Sequence, residues 1–148
     1  MKDDVIILLA EDDLGHAQLV TRNLRGAGVR NKIQEFRNGQ LLMEFLERKG
    51  PGPTRQAGTS YLLLLDIQMP KMNGIEVLER LKQDPELQKI PVVVLTTTDN
   101  PDEIVQCHRL GCSNYLVKPV DYNQFVVKVK QLGLFISMLE VPPIDSPD

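Results

Sequence analysis

The chain has 148 residues, 42% of them hydrophobic and 25% charged, which is the size and make-up of one globular domain with a single core. Its 17 basic and 20 acidic residues leave a net charge of −3, without the clustered basic excess of a nucleic-acid binder. No apolar run approaches the roughly 18 residues of a membrane span, and the acidic start Met1-Lys2-Asp3-Asp4 is unlike a signal peptide, so a cytoplasmic protein is expected.

Residues 5–10 form a continuous apolar run, read as a strand buried on both faces. Residues 14–27 carry Ala17, Val20, Leu24 and Ala27 at helical spacing, and Gly28 stops them. The short, more polar run 32–36 reads as an edge strand, and 39–49 as a helix with Leu42, Phe45 and Leu46 inward. Residues 50–60, rich in Gly, Pro and Thr, read as a loop. A second apolar strand spans 61–66, a helix 75–82 closed by Pro85, and a third buried strand 91–97. A helix over 102–110 ends at Gly111, a strand covers 114–118, and a last helix covers 121–139. The Pro-rich stretch 141–148 reads as a loose tail. Cys107 and Cys112 are poorly placed for a disulfide and read as reduced thiols; with His108 they are too few for a metal site. His16 reads as a solvated helix-surface residue.

Five strands alternating with five helices imply an α/β, doubly wound parallel sheet. The three most apolar strands belong in the centre and the polar second strand at an edge, giving the order 2-1-3-4-5 of the flavodoxin-like fold. The domain is expected over 1–139, with 140–148 as a tail and no output domain. In such a sheet ligands bind beyond the carboxyl ends of the strands, where the order reverses. The residues that end the apolar runs there are Glu11-Asp12-Asp13, Asp66, Thr96-Thr97 and Lys118-Pro119. Crowded carboxylates repel unless a cation intervenes. Mg²⁺ (or Mn²⁺) is the natural one, held by carboxylates, a carbonyl and waters. A carboxylate can then attack phosphorus, a lysine can meet the phosphoryl oxygens, and a threonine hydroxyl can bond the product.

Four stretches carry a resemblance: ILLAEDD, LLLLDIQMPKMNG, IPVVVLTTTDN and SNYLVKPVD. Together, in this order, they resemble the response-regulator receiver of two-component signalling. The resemblance implies roles. Asp66 resembles the phosphoacceptor. Glu11 and Asp12 resemble the acidic pair that holds Mg²⁺, with the backbone carbonyl of Gln68 as a further ligand. Thr96 resembles the switch hydroxyl, Lys118 the phosphate-binding lysine and Tyr115 the aromatic rotamer switch. The Lys118–Pro119 bond is expected to be cis. The loop over 50–60 and the end FISMLEVPP further resemble small stand-alone regulators that work with bacterial phytochrome kinases. That narrower likeness implies a light-sensing sensor histidine kinase, a bacteriophytochrome, as phosphodonor.

Other readings fit less well. A Mg²⁺-dependent phosphatase of the haloacid-dehalogenase kind would need an acid/base Asp two residues after Asp66, where Gln68 stands. A phosphate-independent binding module of the same fold would not need the acid pair, Asp66 and Lys118 together. So a phosphoacceptor that promotes its own phosphorylation and dephosphorylation is expected, not a turnover enzyme on an external substrate. Its output is expected to be binding. The last helix is apolar on more than one stripe, with Phe135, Met138 and Leu139 besides its inward residues. A homodimer through the last strand, last helix and tail is expected, with no nucleic-acid or membrane partner.

Overall fold

The apolar runs become parallel strands because only burial on both faces satisfies them. The computed structural model describes residues 1–146. Strands β1 (Ile6–Ala10), β2 (Ile33–Phe36), β3 (Tyr61–Leu65), β4 (Val92–Thr96) and β5 (Asn114–Val117) form one parallel sheet in the order β2-β1-β3-β4-β5. Between and after them run α1 (Leu14–Gly26), α2 (Gly39–Glu47), α3 (Gly74–Gln83), α4 (Pro101–Arg109) and α5 (Tyr122–Ser137), with a short 3₁₀ turn at Leu87–Lys89. The expected fold class and strand order hold. Alternate residues of each strand serve opposite layers. Leu8, Leu63 and Val94 pack with Met43, Leu46, Val77 and Leu78 of α2 and α3. Ile7, Leu64 and Val93 pack with Val20 and Leu24 of α1 and Phe125, Val129 and Leu132 of α5. Each such side chain contributes roughly 1.5–3 kcal/mol on burial.

Helix ends follow local chemistry. Asp13, Asn38, Asn73, Asn100 and Asp121 each accept a backbone N–H of the first turn that follows. α3 stops at Gln83 because Asp84 precedes Pro85 and is extended. Gly133 of α5 lies so close to α1 that a Cβ there would stand 2.7 Å from the Ala27 Cβ. Cys107 and Cys112 are free and buried. Burial pushes the Cys107 thiol up to about 12, so it is not a nucleophile.

The tail is not loose over residues 141–146, and its last two residues lie outside the described ones. Ile144 is fully buried, its N–H donates to Thr59 O, and its carbonyl accepts from Gly58 N at 2.7 Å. Asp145 receives Arg55 through both carboxylate oxygens, at 2.9 and 3.0 Å, and Arg48 at 2.9 Å. Its N–H donates to Glu86. The buried Arg55 guanidinium also donates to Leu46 O. The segment is therefore a strap across the loop before β3. An isolated Ile in a Pro-rich stretch gives no periodic signal, and the arginines that hold it lie 90 and 97 residues earlier.

Candidate functional site

Strand register assembles the site. Ala10 pairs with Leu65, and Asp66 N donates to Ala10 O at 3.0 Å, so Glu11 and Asp66 leave neighbouring strands side by side. Carboxylate oxygens of Glu11, Asp12 and Asp66 lie within 4.8 Å of one another. Glu11 and Asp66 are buried and Asp12 is exposed at the mouth. Thr96 of β4 pairs with Val117 of β5, and the Thr96 carbonyl accepts Lys118 N at 2.7 Å, which starts the Lys118 side chain toward the same rim. The ammonium donates to Glu11 Oε2 and reaches Asp66 Oδ2 at 3.3 Å.

Electrostatics follow from this crowding. Burial, with the Asp66 charge alongside, pushes Glu11 up from 4.5 to about 7, although the Lys118 hydrogen bond pulls the other way. Three carboxylates face one ammonium, which leaves two negative charges when all are ionised. An all-oxygen donor set with that excess fits a hard divalent cation. Asp66 Oδ1 also accepts Gln68 N at 3.1 Å, which folds the loop after β3 around the carboxylate. Gly74 closes that loop. A Cβ there would stand 2.6 Å from Asp66 O, and its N–H donates to Ile67 O. Only glycine lets the start of α3 approach so closely.

The other expected residues occupy the neighbouring loop. Thr96 is fully buried and its hydroxyl accepts Thr98 N at 3.4 Å. Tyr115 is half-buried, and its hydroxyl lies 3.0 Å from Thr98 O and 3.1 Å from Glu103 Oε1. Burial, then the Glu103 charge, holds this phenol above its ordinary value. Thr96 and Tyr115 thus grip the two sides of one residue.

Two expectations are corrected. The Lys118–Pro119 bond is trans, not cis. The trans form is the lower-energy isomer even before proline, by about 0.5–1 kcal/mol, and Lys118 reaches both carboxylates from it. His16 is not simply solvated. Its Nδ1 lies 3.4 Å from Lys118 Nζ and its ring sits against Phe125. A sequence signal existed: it stands in the first turn of the helix that follows the acid pair. Thr97 was noted only as a strand end, yet its hydroxyl donates to Gln68 Oε1 at 3.0 Å and joins the loops that follow β3 and β4.

Away from the site, Met138 of the expected dimer face is 77% exposed, but Phe135 and Leu139 are partly buried against the core. Val127 and Leu134 are exposed beside it. No helix among the described residues is long and apolar enough to cross a membrane.

A doubly wound sheet that gathers an acid triad, a lysine and a buried threonine at its switch point defines a receiver of two-component signalling. The chain belongs to that family: the response regulator receiver domain model matches residues 7–130. It is 37% identical over 113 residues to the response regulator Rcp1 of Synechocystis, covering 76% of each chain. A response regulator receiver domain from Rhodospirillum rubrum superposes with a TM-score of 0.89 at 42% identity, covering 95% of this chain and 99% of that one. The Mn²⁺-bound form of Rcp1 gives 0.81 at 32% identity, covering 93% and 98%. The phosphorylated cyanobacterial phytochrome response regulator RcpA also gives 0.81, at 33% identity, covering 93% and 97%.

Proposed function

We propose that Asp66 is the phosphoacceptor, loaded by a sensor histidine kinase of the phytochrome type. The observation that carries this is the buried Asp66 carboxylate set between an acid pair and an ammonium. Glu11, Asp12, Asp66 and the backbone carbonyl of Gln68 would hold Mg²⁺ or Mn²⁺, which would neutralise charge for the incoming phosphoryl group. One oxygen of Asp66 attacks phosphorus as the bond from phosphorus to the donor, a kinase imidazole nitrogen, breaks and the imidazole leaves with the electron pair. Lys118 meets the phosphoryl oxygens with a fixed positive charge. The Gln68–Thr97 hydrogen bond ties the loop after β3 to the loop after β4. Likeness to Rcp1 and to the phytochrome regulator RcpA supports the kinase type.

Output follows from Thr96 and Tyr115. When Thr96 turns its hydroxyl to the phosphoryl group, Thr98 N loses its acceptor and the grip of Tyr115 on Thr98 O loosens. Phosphorylation then favours a second arrangement of the α4–β5–α5 surface, because it binds that arrangement better. The receiver occupies 1–139, with residues 140–146 as its strap. Two copies meet through Val127 and Leu134 of α5 and Met138 at its C-cap, apolar residues left exposed along one side. Two buried, free thiols support a cytoplasmic setting. The test is intact mass after incubation with acetyl phosphate and Mg²⁺. Wild type gains one phosphoryl group, and neither Asp66→Asn nor wild type in EDTA does. No gain in wild type, from acetyl phosphate or a histidine kinase, would overturn the proposal.

A further inference from the structure

An ammonium has three N–H bonds, and Lys118 has three acceptors: Glu11 Oε2, Asp66 Oδ2 at 3.3 Å and His16 Nδ1 at 3.4 Å. Two are carboxylates and the third is a ring nitrogen. The imidazole comes from the first turn of α1, where the capping Asp13 lies 3.9 Å from the same Nδ1. Its ring rests on Phe125 of α5, with centroids 5.8 Å apart and planes tilted by 30°. A nitrogen that accepts from an ammonium offers its lone pair, so this contact calls for the ring proton on Nε2.

We propose that His16 is a positioning residue for phosphoryl transfer, a neutral acceptor that keeps Lys118 aimed at Asp66. The inference rests on Asp66 being the phosphoacceptor. A divalent cation on the acid cluster would compete with Lys118 for Glu11 and Asp66 and weaken their hold on the ammonium, and His16 is the one of the three acceptors that is not also a carboxylate of that cluster. The choice of imidazole matters. A third carboxylate would hold the ammonium but cancel its charge; a neutral ring holds it and leaves the charge for the phosphoryl oxygens. Phe125 backs one face of the ring, whose side chain is 38% exposed, so the contact between α1 and α5 helps to set where Lys118 points.

The first test needs no phosphorylation. The chain has 2 histidines, so ¹⁵N-imidazole spectra of the metal-free protein resolve His16 once His108→Gln removes the other. An Nε2–H tautomer whose Nδ1 signal shifts in Lys118→Met supports the contact; an Nδ1–H tautomer overturns it. The second test follows transfer from acetyl phosphate under saturating Mg²⁺, by intact mass. An oxygen of Asp66 bonds to phosphorus as the bond from phosphorus to the acetate oxygen breaks, and acetate leaves with the electron pair. His16→Ala is expected to slow this step about fivefold, or about 1 kcal/mol, the size of one hydrogen bond. His16→Asn, whose side-chain oxygen can stand where Nδ1 stood, restores most of the rate, and all three proteins melt alike. An alanine variant at the wild-type rate, or an asparagine variant no better than alanine, overturns the inference and leaves the phosphoacceptor reading intact. A wild type that takes up no phosphoryl group overturns both.

Discussion

Lys118 Nζ lies 3.3 Å from Asp66 Oδ2, joining the ends of two strands separated by β4 and by 52 residues of sequence. The long lysine stem makes this reach across an intervening strand. The same ammonium compensates Glu11, so it does for the metal-free protein part of what a cation would do.

Lys118→Met keeps the stem and removes the charge. Breaking a buried pair leaves the partner carboxylates uncompensated, at a cost of about 3–5 kcal/mol. We expect the metal-free variant to melt well below wild type, and Mg²⁺ to raise its melting temperature by more than it raises that of wild type. Melting curves with EDTA and with Mg²⁺ read both effects. An unchanged metal-free melting temperature would mean that the pair carries no weight in the fold.

Gly74→Ala places a methyl carbon 2.6 Å from Asp66 O, in contact with backbone that cannot simply move aside. We expect a loss of about 1–3 kcal/mol, as for overpacked sites, together with weaker Mg²⁺ binding because the loop carrying Gln68 shifts. Gly26→Ala is the control, since nothing lies near a Cβ there. Urea unfolding and calorimetric Mg²⁺ titration separate the two effects.

The strap should be sensitive to acid. The Arg55 hydrogen bond, with Arg48 adding to it, holds the Asp145 carboxyl below its ordinary value of 3.8. A depressed carboxyl stabilises the fold above its unfolded value, and that stabilisation is lost as pH falls through the folded value. The window therefore lies below 3.8. Amide exchange at Ile144 and Asp145 should accelerate there before the core opens. Asp145→Asn should show fast exchange at Ile144 already at neutral pH. If its protection matches wild type, the ion pairs do not hold the strap.

Leu134→Glu and Met138→Glu change exposed side chains and should alter stability by no more than about 0.5 kcal/mol. Both should abolish the proposed dimer. Sedimentation of wild type and variants, with and without acetyl phosphate, decides this. A wild type that stays monomeric at high concentration in both states sinks the α5 interface.

Much of this molecule was legible in one dimension. Apolar runs at 5–10, 61–66 and 91–97 announced central strands because a strand buried on both faces must be apolar throughout. The residues ending those runs announced the site, since a parallel sheet brings the ends of its strands to one rim. Glu11, Asp12, Asp66 and Lys118 meet on that rim, and Thr96 ends the strand between Asp66 and Lys118.

Other features were decided only by the tertiary structure. The strap depends on Asp145 meeting Arg55 across 90 residues, and a single buried Ile144 has no periodicity to betray it. His16 looked like any polar residue on a helix surface until α1 and α5 packed together and set it between Phe125 and Lys118. The partial burial of Phe135 and Leu139, and the raised Glu11 carboxyl, arise from neighbours remote in sequence. Local pattern determined which elements form and where the chemistry ends each strand, because those depend on a residue and its near neighbours. Which side chains share a proton, a charge or a covered face depends on how the layers close, and that is a property of the folded chain.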